Sequence, residues 1–307
     1  MVILMPYLIT AGVLLLLVLL IGALLAAYLV YHPTSPDFQK TLEIETEKGL
    51  AEGYDPTASV CYTVPSFDGY VLHAELLQAP QKTNRYVILS HGYSYDRHGS
   101  LKYAKLFRSL GFHCVIYDNR GHGLNKKAAC TFGIKESRDL CAMIDDCYTR
   151  YGQDIVLGLH GESMGSALGT IALQYKPRVR FSVHDCGYAD FFSVIRLQMK
   201  TNHIPSFLIY PTELMCRLLF HVSIRKARPI DCVSDNEIPL CFFHGTADKM
   251  TPYSHSERLA AANGGPCELH LFPGATHAGC LIADEDQYKK ILTAFLESVG
   301  VKPEESI

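Results

Sequence analysis

A serine becomes a useful nucleophile only where the backbone thrusts it clear of the fold, and Gly161-Glu162-Ser163-Met164-Gly165 has the form of a turn that does so. It follows the apolar run Val156 to Leu159 and precedes the small residues Ser166 and Ala167, so strand, sharp turn and helix are predicted in that order. Glycine two residues before and two after the serine leaves space that a side chain would fill. Ser163 would then stand at the C-terminal edge of a sheet. It would also sit at a helix N-terminus, whose free N–H groups favour developing negative charge.

A serine hydroxyl is a weak nucleophile near neutral pH, so it needs a base, and the base needs an acid that fixes its tautomer. Of the 14 histidines, His277 is the one in a loop after the last predicted strand and beyond Asp248; His270 falls inside that strand. Asp248 lies in the loop His244 to Pro252, after the preceding strand, which makes Ser163, Asp248 and His277 the candidate catalytic residues in the chain order this chemistry takes on a parallel sheet. Asp185, at the end of the strand following the nucleophile helix, is the rival acid and reads as structural or secondary. Two rigid backbone N–H groups usually hold an oxyanion. The candidates are Met164, next to the nucleophile, and Tyr93, in the strand end Leu89-Ser90-His91-Gly92-Tyr93. Asp118-Asn119-Arg120-Gly121-His122-Gly123 reads as a braced turn at the rim, and Cys280, lacking a partner at redox spacing, reads as core. No metal is expected, since the cysteines lack metal-ligand spacing.

The elements that must position these residues alternate regularly. An antiparallel pair is predicted at residues 59–63 and 70–77, joined by Ser66-Phe67-Asp68-Gly69. Strands then follow at 86–90, 114–117, 154–159, 181–185, 240–244 and 269–272. Helices are predicted at 102–110, 136–151, 165–175, 254–262 and 284–299. Strands that are apolar throughout and separated by helices imply a mostly parallel sheet covered on both faces, with ligands at its C-terminal edge. Residues 189–233 break the alternation. Their Phe191, Phe192, Met199, Phe207, Tyr210 and Met215 suggest a helical lid lining an apolar pocket.

From Val2 to His32 there is no charged side chain, and Leu8 to Val30 is almost unbroken Leu, Val, Ile and Ala. About 20 such residues span a bilayer as a helix, so residues 1–32 are expected to be an uncleaved transmembrane anchor, stopped by Pro33 to Pro36. A signal peptide would carry a basic start and a shorter apolar run, although the small residues of Ala23 to Ala27 leave cleavage open. Residues 33–55 are read as a stalk leading into a short helix, and 56–300 as the globular domain. Only Lys40 and Lys48 closely follow the span, which leans the domain towards the cytoplasmic side. Eleven cysteines scattered without pattern agree with a reducing compartment. A formal charge of −3 gives no electrostatic case for nucleic acid.

Taken together, His91-Gly92, Asp118 to Gly123, Gly161 to Gly165, His244 to Pro252 and Gly274 to His277 resemble the serine α/β-hydrolase superfamily over about residues 55 to 300. Within it the chain looks most like bacterial membrane-anchored relatives of monoacylglycerol lipases and serine aminopeptidase-like esterases. That resemblance implies an α/β-hydrolase fold with an eight-stranded sheet, a lid after the sixth strand and no cofactor. It also implies hydrolysis of a small-molecule ester or related acyl compound, and the apolar residues from Phe191 to Phe220, tethered near a bilayer, suggest a lipid-derived or medium-chain ester. An acyltransferase or peptidase would use the same residues. A non-enzymatic membrane-anchored binding protein is the remaining alternative, and the intact Ser163, Asp248 and His277 speak against it. The oxyanion loop reads His-Gly-Tyr-Ser where lipases have His-Gly-Gly-Gly, which leaves the substrate class open.

Overall fold

The computed structural model describes residues 4–31 and 38–302. Among them eight strands form one sheet: β1 (Val60–Pro65), β2 (Val71–Leu77), β3 (Arg85–Ser90), β4 (His113–Tyr117), β5 (Val156–Glu162), β6 (Phe181–Asp185), β7 (Leu240–Gly245) and β8 (Cys267–Phe272). Their order is β1-β2-β4-β3-β5-β6-β7-β8. β2 runs antiparallel to both β1 and β4, and every other pair is parallel. The chain steps from β3 outward to β4 and then returns to place β5 on the other side of β3. That reversal opens a crevice between the ends of β3 and β5, where an open α/β sheet binds its ligands. Gly158 sits in β5 because a side chain there would stand 2.1 Å from the Phe181 ring on β6.

Two apolar layers cover the sheet. On one face α3 (Leu101–Ser109) and α10 (Glu285–Ser298) bury Phe107, Phe112, Phe181, Phe243, Tyr288 and Phe295. On the other, α4 (Glu136–Tyr151) and α5 (Met164–Ala172) close over Ile88, Val115, Tyr117, Leu157 and Leu168. α8 (Ser254–Ala262) and the single turn α9 (Cys280–Ala283) complete that end of the fold. All eleven cysteines are free thiols, and all seven buried ones have pKa values pushed far up by burial, as expected of small apolar core groups.

Two N-terminal helices behave differently from a tether. α2 (Phe38–Glu47) buries Thr41 and Glu45, and Leu42, Ala51 and Tyr54 pack on the main core, so residues 40–54 form part of the body. α1 (Leu4–Tyr31) is long and apolar enough to cross a membrane. His32 and Pro33 to Pro36, read as its stop, lie outside the described residues. Met5 to Leu17 are all exposed, whereas the half from Val18 onward packs on the insertion between β6 and β7. That insertion consists mainly of α6 (Phe191–Thr201) and α7 (Ile209–Phe220). α1 and α7 run parallel: Gly22 lies against Pro211, and Tyr31 meets Phe220 edge-on with ring centroids 5.3 Å apart. A Cβ on Gly22 would come within 2.8 Å of the Pro211 backbone, so the small residues of this stretch serve helix packing.

Candidate active site

Ser163 is the residue between β5 and α5, with φ 53° and ψ −112°. A non-glycine residue there is strained, and its surroundings hold it. Its N–H donates to Asp185 O at 2.8 Å, and its carbonyl accepts from Ala167 N at 3.0 Å. The flanking glycines are obligatory: a Cβ on Gly161 would lie 2.2 Å from Gly165 O, and one on Gly165 would lie 1.9 Å from Ser90 O. The turn is thereby wedged against the end of β3.

The loops after β7 and β8 bring the other two side chains to the same edge. His277 Nε2 is 2.9 Å from Ser163 Oγ, and its Nδ1 is 2.7 Å from Asp248 Oδ2. Burial by itself raises the Asp248 pKa, but hydrogen bonds from His244 and His277 outweigh it and hold the carboxyl well below the usual range. Asp248 Oδ1 also accepts the N–H groups of Met250 and Thr251, each at 2.8 Å. An ionised carboxylate only accepts, so His277 Nδ1 carries the proton and Nε2 accepts from the Ser163 hydroxyl. This line of hydrogen bonds is able to take the Oγ proton when the serine attacks an electrophile. His244 braces the acid: its Nε2–H donates to Thr251 O at 2.7 Å, and Ser256 Oγ–H donates to its Nδ1 at 2.7 Å.

Met164 is the first residue of α5, so its N–H has no carbonyl one turn back to donate to. Gly92 faces it from the end of β3, close enough that a Cβ there would sit 3.6 Å from Ser163 Cβ. Tyr93 follows Gly92, and Ser94 then turns at φ 66°. His91 is buried, and burial drives its pKa down to about 3, so it stays neutral. Its Nε2 accepts Asn119 N–H at 2.9 Å and its Nδ1–H donates to Gly92 O at 2.7 Å, tying this loop to the Asp118 to Gly123 turn. That turn is braced in its own right. Asp118 takes Arg97 Nη1 at 2.7 Å and Leu124 N at 3.0 Å, while Arg120 bridges Asp139 and Asp68.

Asp185 does not meet His277. It lies beneath the turn in a buried polar cluster with Lys102, Tyr103 and Glu162. Lys102 Nζ is 2.5 Å from Glu162 Oε2, and the Tyr103 hydroxyl is 2.9 Å from Glu162 Oε2 and 3.0 Å from Asp185 Oδ2. Lys102 also donates to Ala278 O at 3.1 Å, next to His277. Burial, helped by the charge of Glu162, raises Asp185 to about 6. An acid ending an apolar strand beside the nucleophile is a buried charge that demands a partner, but the sequence does not say which residues supply it.

Cys186, Asp248 and His277 lie close enough to hold an ion, as do Cys241, Glu268 and His270. Both nitrogens of His277 are already engaged, and burial pushes the Cys186 thiol far up, away from the thiolate a metal needs. Open clefts of about 560 and 600 Å³ lie elsewhere, beside α4 and at the start of β8, and neither includes Ser163, Asp248 or His277.

The sheet order, the serine turn and the helical insertion after β6 define an α/β hydrolase by fold. A family profile described as the alpha/beta hydrolase fold matches residues 86–209. A curated protein of Bacillus subtilis (strain 168), called uncharacterized protein YqkD, is 26% identical over 299 residues, covering 95% of this chain and 97% of that protein. Among solved structures, the Pyrococcus furiosus esterase Pf2001 superposes with a TM-score of 0.66 at 19% identity, over 80% of this chain and 94% of that one. The Pyrococcus horikoshii acylaminoacyl peptidase does so with a TM-score of 0.61 at 16% identity, over 81% of this chain and 43% of that one. The profile match and the structural neighbours together show that the chain has the α/β-hydrolase fold.

Proposed function

We propose that the protein is a membrane-anchored serine hydrolase that cleaves a carboxylic ester through an acyl-enzyme. The observation that carries this reading is the unbroken line from Ser163 Oγ through His277 to an ionised Asp248. His277 Nε2 takes the Oγ proton as Oγ adds to the acyl carbonyl, and the Met164 and Tyr93 N–H groups hold the oxyanion. The tetrahedral species expels the alcohol, which leaves with the proton from His277. Water, deprotonated by the same nitrogen, then adds to the acyl carbon, and the carboxylic acid departs as Ser163 recovers its proton.

The surroundings of Ser163 favour an apolar acyl group. Met164, Phe191, Val194, Tyr188, Phe132 and Ile224 form one cluster, with Phe132 and Phe191 stacked at 4.1 Å. The exposed stretch Met5 to Leu17 is about 20 Å long at 1.5 Å per residue, short of the roughly 30 Å of a hydrocarbon core. If α1 spans a bilayer, lipid therefore also reaches the start of α7, where Phe207, Tyr210 and Leu214 are exposed. A lipid-derived ester fits that setting. The test is hydrolysis of a chain-length series of p-nitrophenyl esters by the full chain in detergent, with Ser163→Ala and His277→Ala as controls. Both variants should be inactive, and medium or long chains should outpace acetate. Activity surviving in Ser163→Ala overturns the mechanism, whereas much faster turnover of acetate overturns the lipid assignment alone.

A further inference from the structure

An α-helix ends with four carbonyls that have no partner within the helix, and near a membrane few water molecules are available to satisfy them. At the end of α1 two of these are met by the loops around the candidate active site. The Tyr93 hydroxyl donates to Leu29 O at 2.7 Å, and Cys130 N donates to Val30 O at 3.1 Å. Ala26 and Val30 are fully buried in the cluster that contains Met164, and Leu29 and Tyr93 pack against the same cluster. Cys130 completes the circuit, since its Sγ lies 3.5 Å from Met164 Sδ. The last two turns of α1 therefore share one packing unit with both residues whose N–H groups are proposed to hold the oxyanion.

The loop bearing Tyr93 needs such support. It carries Gly92 against the nucleophile turn and then Ser94 at φ 66°, a conformation that costs free energy unless neighbours impose it. From beneath, the loop is tied by His91 to Asn119. Its further side-chain ties are Tyr93 to the anchor helix and, two residues on, the Tyr95 hydroxyl, which accepts from Lys48 Nζ at 3.4 Å. We propose that the C-terminal turn of the anchor helix is a positioning element of the active site, clamping the oxyanion loop through the hydrogen bond from Tyr93 to Leu29. The anchor then does more than localise the enzyme, because its seating sets how well Tyr93 N–H is aimed. This inference rests on the proposed hydrolase mechanism for its kinetic consequence and on the hydrogen bond for its structural one.

The discriminating variant is Tyr93→Phe in the full chain in detergent, which keeps the ring and removes the clamp. A fully lost oxyanion donor costs about 10² to 10³ in kcat, so a misaimed one should cost about tenfold. KM for a short soluble ester should stay within about twofold, because the loss falls on the transition state. Leu15→Ala, on the exposed half of α1, should keep the wild-type rate. Amide exchange of residues 91–95 reads the clamp independently of any activity, and it should quicken about tenfold in Tyr93→Phe with little change in β3. An inert wild type with quickened loop exchange would overturn the hydrolase mechanism and leave the clamp standing. Unchanged exchange overturns the clamp. So does an unchanged kcat in an active enzyme, even if the melting temperature falls.

Discussion

Replacing Asp185 by Asn tests the electrostatics beneath the nucleophile turn. Asp185 is fully buried, and its pKa stands at about 6 in the folded chain against an ordinary 3.8. The folded state therefore binds the proton more tightly than the unfolded state. Between pH 3.8 and 6 the folded chain holds more protons, so the slope of unfolding free energy with pH is negative there. The stabilisation is complete below pH 3.8 and is lost as pH rises through 6. A shift of about two units is worth about 3 kcal/mol. Asn keeps the shape and still accepts from the Tyr103 hydroxyl, but it has no charge to bury. The stability difference, Asn variant minus wild type, should accordingly grow by about 3 kcal/mol from pH 4 to pH 7.5 and level off above it. Other buried carboxyls, including Asp118 and Asp139, are raised by their own burial but are common to both proteins and cancel. Chemical denaturation of the full chain in detergent at four pH values reads this directly. A difference that does not change with pH would show that Asp185 is already neutral or is fully compensated by Lys102, and the reasoning would fail.

Other outcomes follow from single contacts. Asp248→Asn leaves the loop geometry but frees His277 from its fixed tautomer, so kcat for ester hydrolysis should fall by about 10⁴ with little change in KM; a drop below tenfold would contradict the role given to Asp248. Gly22→Leu forces a side chain into the Pro211 backbone and should pry α1 from α7, at about 1 to 3 kcal/mol. Limited proteolysis should then cut residues 201–208 faster than in wild type, and an unchanged digestion pattern would show that the helices do not pack there.

Much of the fold is legible in the sequence because the strands are short, mostly apolar segments and nearly all of them end at or just before Gly, Pro or Asp. β6 and the helices at 136–151 and 254–262 have the expected limits. β8 begins two residues early, at Cys267, because as an edge strand it is only partly buried and carries Glu268 and His270. Ser163, Asp248 and His277 are readable for one reason: each stands alone in a loop after a parallel strand, so topology assembles them before side-chain detail matters. The Lys102, Tyr103, Glu162 and Asp185 cluster was not readable, because its members come from three elements and only their burial makes them partners. The seating of α1 was hidden for a different reason. A helix apolar all round shows no preferred face, and only Gly22 and Ala26, one turn apart, marked the side that touches α7 and the site.

The nucleophile we propose is Ser163, activated by His277. A fluorophosphonate probe forms a stable phosphonyl ester with such a serine, and mass spectrometry of the labelled full chain locates it. A single adduct is expected on the peptide containing Ser163, absent in Ser163→Ala and slowed at least about a hundredfold in His277→Ala. Labelling that persists in Ser163→Ala, or a wild-type chain that never labels, would contradict it.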